Sequence, residues 1–148
     1  MVSTEQKTFH CELIGPTGKL LDCQTTSVVF PAHDGQVGIL FDHMPMLSQL
    51  GLGIMKVAQP PAKSDETASS SPDLEFFIDG GFALVAENSV TVIAYSVLAL
   101  QGITSEAVES LLEKTAKNLA SPGLSPAQRM HENERMRTLR SIKDSLTS

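Results

Sequence analysis

The distribution of glycine most constrains what this chain can fold into. Nine of the ten glycines among its 148 residues lie before residue 103, and the last 48 residues contain no aromatic side chain. Frequent glycine is typical of short strands that tight turns separate, because glycine weakens longer regular elements. We therefore predict a β-rich domain over residues 1–100 and a helical domain over residues 101–148. The net charge also changes there, from −7 in the first domain to +1 in the second.

Short apolar runs separated by turn residues make up the first domain. Thr8–Ile14 alternates between apolar and polar side chains, as a half-buried strand does. Turn residues follow at Gly15–Gly18, Asp34-Gly35, Asp79–Gly81 and Glu87-Asn88. Strands this short and this close together predict an antiparallel β-sandwich or a flattened barrel. The predicted strands are Thr8–Ile14, Thr25–Phe30, Val37–Leu40, Leu50–Val57, Leu74–Ile78, Phe82–Ala86 and Ser89–Ala94.

The sequence of the second domain predicts two helices, so the predicted fold class is α+β. An apolar stripe with helical spacing consists of Val108, Leu111, Leu112, Ala116 and Leu119. Thr104 or Ser105 can cap this first helix. Ser125-Pro126-Ala127-Gln128 then has the spacing of a capping box and opens a second helix. Since a short loop joins antiparallel helices, we predict a C-terminal antiparallel α-helical hairpin, with few apolar contacts to hold its second helix.

Composition excludes several functional classes. The net charge of −6 and the isoelectric point near 5.1 argue against general nucleic-acid binding. No apolar run reaches the roughly 20 residues of a spanning helix, and the first residues do not resemble a targeting peptide. Gln59–Asp73 contains no large apolar side chain, so we predict an exposed loop between two paired strands. The two cysteines do not form a disulfide framework, and Cys11 lies on the apolar face of its strand.

Two His/carboxylate pairs are the candidates for chemistry in the β-rich domain. His33-Asp34 and Asp42-His43 flank a short strand, and such pairs are found in metal sites and in acid/base catalysis. Each pair also lies in a predicted turn, which explains the same residues without any chemistry. The chain has no glycine-rich phosphate loop and no nucleophile motif, so we expect no cofactor and no catalytic residue.

Basic side chains are concentrated in the predicted second helix. A solvated helix face explains such residues, whereas an acidic protein partner is the functional alternative. The helix lacks the large apolar face of a membrane-surface helix. A free-standing adaptor that binds an acidic partner is one hypothesis for the whole chain. The basic residues are Arg129, Arg135, Arg137, Arg140 and Lys143.

Two segments carry a family resemblance. Residues 27–57 read SVVFPAHDGQVGILFDHMPMLSQLGLGIMKV, and residues 76–94 contain FIDGGFALVAENSVTVIA. In order and spacing, both segments resemble the epsilon subunit of F-type ATP synthases. The shared positions include Gly35, Gly38-Ile39-Leu40, His43, Pro45, Leu47, Gly53, Gly80-Gly81-Phe82, Val85 and Val90–Ala94. The resemblance is specific in the first domain and concerns only the architecture in the second.

The resemblance implies a non-catalytic rotor subunit in the central stalk. Its β-sandwich would dock on the gamma subunit and on the polar loops of the membrane c-ring, and would couple ion transport to ATP synthesis. Its hairpin would be regulatory and would meet the alpha/beta hexamer, where an acidic segment of the beta subunit lies. The complex would be peripheral on the cytoplasmic face of a bacterial inner membrane. Alignment places Asp34, Gln36, Asp42, His43 and Met44 on the c-ring and gamma side.

The start of the first helix departs from one feature of that family. Some bacterial members bind ATP through an aliphatic residue, an aspartate, two variable residues, an arginine and an alanine. The matching stretch here has Thr104 in place of the aspartate and Ala107 in place of the arginine. Without that guanidinium nothing at this position pairs with phosphate. The alternative hypothesis from another class is a small metal-dependent β-sandwich hydrolase that uses His33, Asp34, Asp42 and His43.

Overall fold

The computed structural model describes residues 7–59 and 72–147, and the chain divides into two compact units after Gln101. The first unit contains eight strands and the second contains two helices. The predicted loop at Gln59–Asp73 falls mostly outside the described residues. The strands are β1 (Phe9–Gly15), β2 (Gly18–Thr25), β3 (Ser27–Ala32), β4 (Gly35–Leu40), β5 (Met46–Val57), β6 (Leu74–Ala86), β7 (Ser89–Ala94) and β8 (Val97–Ala99), and the helices are α1 (Ser105–Ala120) and α2 (Pro126–Thr147).

The eight strands form an open β-sandwich in the order β2-β1-β7-β6-β5-β3-β4, with β8 paired to β6. Every ladder is antiparallel except that between β1 and β7, which is parallel. β6 spans thirteen residues and pairs with β5 along most of its length. The first half of β6 also pairs with β8 and its second half pairs with β7, so β6 has a different neighbour on this side along each half of its length.

The predicted turn at Asp79–Gly81 is wrong, because β6 continues through it. Gly80 and Gly81 have φ angles of 80° and 132°, which only glycine adopts without strain. They bend the strand without reversing it. The Glu87-Asn88 turn is confirmed: φ angles of 51° and 55° are those of a type I′ hairpin turn between β6 and β7.

Sequence patterning also missed β2 and β8. β2 is an edge strand whose side chains are mostly exposed, so it carries little alternation. A bulge further disturbs its pattern: Leu13 pairs with Leu21 and Ile14 pairs with Lys19, which leaves Leu20 without a partner in the β1 ladder. β8 is only three residues long.

One apolar cluster fills the interior of the β unit. Its buried side chains come from β1, β3, β4, β5, β6 and β7, and Phe30, Ile39 and Met55 are at most 1% exposed. Burying one such side chain contributes about 1.5–3 kcal/mol, so the cluster is the main source of stability for this unit. Cys11 lies in the cluster, as its strand face predicts.

In the second unit, α1 and α2 pack against each other as an antiparallel hairpin. Thr104 caps α1 by accepting a hydrogen bond at 3.2 Å from the Ala107 N–H. The predicted capping box of α2 is confirmed: the Gln128 N–H donates to Ser125 Oγ at 3.1 Å, and the Ser125 N–H donates to Gln128 Oε1 at 2.9 Å.

The predicted stripe of α1 is wrong in one position. Val108 and Thr115 are buried, whereas Ala116 is exposed. Thr115 can occupy this interior position because its hydroxyl donates to the Leu111 carbonyl at 2.9 Å. Among the α2 side chains that the structure describes, only Leu139 and Ile142 are buried, which confirms the poor apolar stripe of this helix.

Candidate protein-interaction surface

Five exposed apolar side chains form one connected patch on the outer face of β5, β6 and β7. Leu47 on β5 is directly opposite Leu84 on β6, and Phe82 on β6 is directly opposite Ile93 on β7. Opposite side chains on one face of a sheet lie in contact distance, so the pairs are continuous. We call this patch the apolar face; it consists of Leu47, Phe82, Leu84, Ile93 and Tyr95, each between 43% and 71% exposed.

An aromatic pair closes one side of the apolar face. The rings of Phe82 and Tyr95 meet edge to face with centroids 6.0 Å apart. Tyr95 follows β7, where its N–H donates to the Gly80 carbonyl at 3.0 Å. The bend of β6 therefore positions both rings. A rigid, exposed aromatic pair at the edge of an aliphatic patch is typical of protein interfaces.

Two further exposed apolar residues, Leu40 and Met44, lie at the end of β4 and in the following loop. The loop leads directly into β5, where Leu47 begins the apolar face. His43 is held here by a hydrogen bond from its N–H to the Leu40 carbonyl and by contact of its Nδ1 with the Met44 carbonyl at 2.7 Å. These local hydrogen bonds help to set the loop conformation, and Met44 is exposed to solvent.

Asp42 has a structural role in this loop. It has a φ of 62°, and its N–H donates to Asn88 Oδ1 at 2.8 Å. Asn88 Nδ2 donates back to Asp42 Oδ1 at 3.3 Å. This reciprocal pair joins the loop after β4 to the β6–β7 turn, and so fixes Met44 relative to the strands of the apolar face.

Asp34 and Gln36 lie at the opposite end of β4 from Asp42, His43 and Met44. His33 and Asp34 form the turn between β3 and β4, and β4 separates them from Asp42 by six residues, about 20 Å of strand. The five residues that alignment places on one side therefore form two groups. The metal-dependent hydrolase hypothesis is wrong for the same reason, since His33-Asp34 and Asp42-His43 do not meet.

Among the described residues, the one group of His, Asp and Glu side chains with converging ligand atoms is on β1 and β2, where no sequence motif indicates it. Ligand atoms of His10, Glu12 and Asp22 all lie within 4.8 Å of one another. The Lys19 ammonium lies beside both carboxylates, at 3.5 Å from Glu12 and 3.1 Å from Asp22. Hydrogen bonds from His10 and then Lys19 lower the pKa of Asp22, and Asp22 raises the pKa of Lys19. The group is an exposed ion-pair network that already contains its cation.

The basic residues of α2 are not equivalent. Lys143 pairs with Glu109 of α1 at 2.9 Å, and Arg129 Nη1 donates to the Leu119 carbonyl at 3.3 Å. Both therefore stabilise the hairpin. Arg137 and Arg140 are exposed and border a shallow groove along α2 that Met136 and Asp144 also line. These two arginines are the basic residues best placed to meet another molecule.

Sequence analysis missed the apolar face, although its signal is present. The stretches Phe82–Ala86 and Val90–Tyr95 are apolar at nearly every position. Apolar and polar residues alternate along a strand with one face in water, whereas a strand that is covered on both faces is apolar at nearly every position. Within the unit these strands are covered on only one face, so the second apolar set leaves an exposed apolar surface of the kind found at protein contacts.

Comparison with known proteins identifies relatives along almost the whole chain. Residues 8–99 match the family described as ATP synthase, Delta/Epsilon chain, beta-sandwich domain. The ATP synthase epsilon chain of Jannaschia sp. (strain CCS1) is 28% identical over 137 residues, which cover 91% of this chain and 96% of the relative. The ATP synthase epsilon chain of Synechococcus sp. (strain JA-2-3B'a(2-13)) is 31% identical over 134 residues, 89% and 90% of the two chains.

A solved structure shows the same fold. A chain in the cryo-EM structure of the Euglena gracilis mitochondrial ATP synthase superposes with a TM-score of 0.63 at 20% identity, and the match covers 94% of this chain and 81% of that one. Within the described residues, neither helix is long and apolar enough to cross a bilayer.

Proposed function

The chain belongs to the delta/epsilon chain family of ATP synthases, and we propose that it acts in the central stalk as a non-catalytic coupling subunit. It is a rotor subunit of an F-type ATP synthase, a membrane-associated rotary complex. Its β unit attaches it to the rotor, and its hairpin regulates the enzyme. The chain is peripheral, held on the cytoplasmic side of a bacterial inner membrane by the other subunits.

The apolar face carries this proposal. Five connected apolar side chains on rigid strands suit a long-lived contact, because such a contact needs a fixed surface that loses little entropy on binding. The gamma subunit is the occupant that the family implies. Leu40 and Met44 are two further exposed apolar residues, at the end of β4 and in the loop that leads into β5, so we assign Asp42, His43 and Met44 to the gamma contact as well.

The β3–β4 turn with Asp34, together with Gln36 at the start of β4, suits a different partner. It is polar, exposed and at the other end of β4. Polar turn residues match the polar loops of a c-ring, where hydrogen bonds through water are enough for a sliding or transient contact. We therefore assign Asp34 and Gln36 to the c-ring contact.

The gamma assignment is tested by placing a charge in the apolar face. Leu84→Asp should weaken association with the purified gamma subunit at least tenfold, because a carboxylate would be desolvated at the centre of the contact. Leu20→Asp is the matched control, since Leu20 is 45% exposed and Leu84 51% exposed, but Leu20 lies on β2. If both variants bind like the wild-type chain in titrations, the apolar face does not contact gamma.

The c-ring assignment predicts a loss of coupling. Asp34→Ala combined with Gln36→Ala should lower ion-driven ATP synthesis of the assembled enzyme more than ATP hydrolysis by its soluble part. Lys56→Ala, on an exposed position of β5, is the control. Equal ratios of synthesis to hydrolysis in all three enzymes would contradict the assignment.

For the hairpin we propose that α2 restrains ATP hydrolysis by meeting the acidic segment of the beta subunit in the alpha/beta hexamer. Arg137 and Arg140 are the exposed cations of α2 that remain when Arg129 and Lys143 serve the hairpin, since Arg135 is half-buried. Few buried side chains hold α2, so a change of position costs little. Ion pairs formed in an enclosed cavity gain more than the same charges in water.

Arg137→Ala with Arg140→Ala should therefore raise the ATPase rate of the assembled enzyme. Rising salt should release the wild-type enzyme more than the variant, because salt screens the pairs that the variant lacks. Lys114→Ala with Lys117→Ala removes the same charge from α1 and is the control. Identical salt curves for all three enzymes would leave the arginines as solvated surface.

The departure from the ATP-binding motif gives a fourth test. Thr104 is occupied as the cap of α1, and Ala107 offers only a backbone N–H that this cap already uses. Calorimetry of the purified chain should detect no ATP site tighter than about 1 mM, which corresponds to about −4 kcal/mol. Micromolar binding would contradict this expectation.

A further inference from the structure

The two cysteines of the chain are directly opposite each other on neighbouring strands. Cys11 on β1 pairs with Cys23 on β2 in the antiparallel ladder. Their side chains lie on the same face of the sheet: Cys11 is in the buried apolar cluster and Cys23 packs against it from the edge. Both thiols are free. The ion-pair network of His10, Glu12, Asp22 and Lys19 is on the other face of the same two strands.

The backbone places the two residues at a separation that a disulfide accepts. The His10 N–H donates at 3.1 Å to the Asn88 carbonyl, on the β7 side of β1. The peptide groups of Cys11, the next residue, therefore point to β2, and Cys11 and Cys23 form a hydrogen-bonded pair. The Cα atoms of such a pair lie about 5.5 Å apart. Disulfides span Cα separations of about 4.4–6.8 Å, with most near 5.5–6 Å.

The position of β2 lets the strands adjust and lets an oxidant enter. The Cβ atoms of opposite residues lie about 4.5–5.5 Å apart, and a disulfide draws them to about 3.8 Å. β2 can move by this amount because it is an edge strand with a bulge and, among the described strands, pairs with β1 alone. Cys23 is partly exposed, whereas Cys11 is buried.

The two thiols differ in their access to solvent and therefore react at different steps. Burial raises the pKa of Cys11 to about 12, and burial also raises the pKa of Cys23. Neither is a strong nucleophile near neutral pH, so the reaction is slow. Cys23 reacts first, because solvent reaches it, and Cys11 lies within reach as the resolving thiol.

We propose that Cys11 and Cys23 are an oxidative modification site, at which a peroxide converts the two thiols into a disulfide between β1 and β2. The Cys23 thiolate attacks one peroxide oxygen, the O–O bond breaks, and a sulfenic acid and hydroxide form. The Cys11 sulfur then attacks the Cys23 sulfur, and the S–S bond forms. The sulfenic OH group leaves and takes up the proton of the Cys11 thiol, which gives water. Two thiols lose two electrons, and the peroxide is reduced to two waters.

The bond fastens the edge strand of the β unit to its neighbour. It closes the chain between Cys11 and Cys23 into a ring, which limits the unfolded chain and raises stability. A small thiol reductant reverses it by thiol–disulfide exchange. The site thus responds to oxidising conditions without changing the apolar face, which lies on β5, β6 and β7.

Peroxide treatment of the purified full-length chain tests the proposal. The wild-type chain should lose two hydrogen atoms in intact mass, remain monomeric, and give a peptide in which Cys11 is joined to Cys23 after digestion without reductant. Its Tm should rise by about 5 °C or more and return on addition of dithiothreitol. Mass gain by two or three oxygens, with no linked peptide, would overturn the proposal, and so would dimers linked through Cys23.

A register variant separates proximity from simple thiol content. Cys23→Ala combined with Leu21→Cys keeps two cysteines on the same face but moves one thiol opposite Leu13. Its distance from Cys11 becomes diagonal, about 7–8 Å, which is too long for a disulfide. This variant should gain oxygen and form no intramolecular link. A linked peptide in this variant at the wild-type rate would show that the direct register has no role.

Discussion

The β unit and the helical hairpin differ most in how many side chains they bury. The β unit buries a continuous cluster from six strands, whereas in the hairpin the buried apolar side chains are Val108, Leu139 and Ile142 among the residues described. A large core gives a unit one conformation, and a small one leaves a helix pair marginal. The difference in burial therefore indicates a rigid β unit and a marginally stable hairpin.

The two units also place their remaining apolar and charged residues differently. The β unit has a second apolar surface, the apolar face, although the first 100 residues carry a net charge of −7. α2 exposes Arg137 and Arg140 instead. An apolar contact changes little with salt and a charged contact weakens with it. If the chain is attached through its β unit and regulates through its hairpin, as proposed above, the two functions should therefore respond differently to ionic strength.

The largest effect should come from Gly81→Ala in the β unit. A Cβ at this position would lie 2.0 Å from the Ile93 carbonyl oxygen, and the φ of 132° is unfavourable for alanine. We expect a loss of about 3 kcal/mol or more in the free energy of unfolding of this unit. Gly38→Ala is the control, since a Cβ there meets nothing within 4 Å. Urea denaturation measures the stability of both variants. Equal transition midpoints would show that the bend at Gly81 tolerates a side chain.

Leu139→Ala should destabilise the hairpin by about 2–3 kcal/mol, because the side chain is fully buried in a small core. The β unit should keep its stability, since its core does not include this residue. Hydrogen exchange of the amides in α1 and α2, compared with those in β6, measures the difference. Met130→Ala, at a position that is 65% exposed, is the control. Equal acceleration in both units would mean that they unfold together.

Ser125→Ala should cost the hairpin about 1 kcal/mol, because it removes the side-chain acceptor of the capping box. The loss should appear as faster exchange in the first turn of α2 and should leave the β unit unchanged. Ser110→Ala, at an exposed position within α1, should show no such loss. If the two variants behave alike, the capping box contributes nothing to the start of α2.

The smallest effect should come from the ion-pair network on β1 and β2. The folded-state pKa of Asp22 is lowered, so its contribution is present above the unfolded pKa and is lost as pH falls through the folded value. The pKa of Lys19 is raised, so its contribution is present below the unfolded pKa and is lost as pH rises through the folded value. The Tm difference between the wild-type chain and Lys19→Met should be constant between about pH 5 and 9 and shrink outside it.

High salt should reduce this Tm difference at every pH, because the groups are exposed. If the Tm difference depends on neither pH nor salt, the effect of Lys19→Met comes from the packing of this side chain and not from its charge.

Local patterns predicted much of the fold. Thr104, Ser125 and Gln128 cap helices through contacts within three residues, and Glu87-Asn88 makes a turn through its own backbone preferences. Such features depend on nearest neighbours along the chain, so residue type and spacing determine them. The order of a β-sandwich and a helical hairpin follows from the same periodicities and from the family resemblance.

Non-local contacts decided what the patterns could not. Gly80-Gly81 resembles a turn in the sequence, but pairing with β5, β7 and β8 on both sides makes it a bend within one strand. The parallel pairing of β1 with β7 and the separation of Asp34 from Asp42 likewise depend on which strands become neighbours. The register of β1 and β2 sets Cys11 opposite Cys23 only because a bulge lies beyond them.

By itself, the sequence determined where both helices and most of the strands form, which residues cap the helices and which family the chain resembles, because these depend on short-range periodicity and residue type. Only the tertiary structure decided which apolar residues stay exposed. Phe82 and Val85 are alike in the sequence, but β6 directs the first into the apolar face and the second into the core. Burial depends on the partner strands that cover each face, and a pattern of apolar residues does not contain that information.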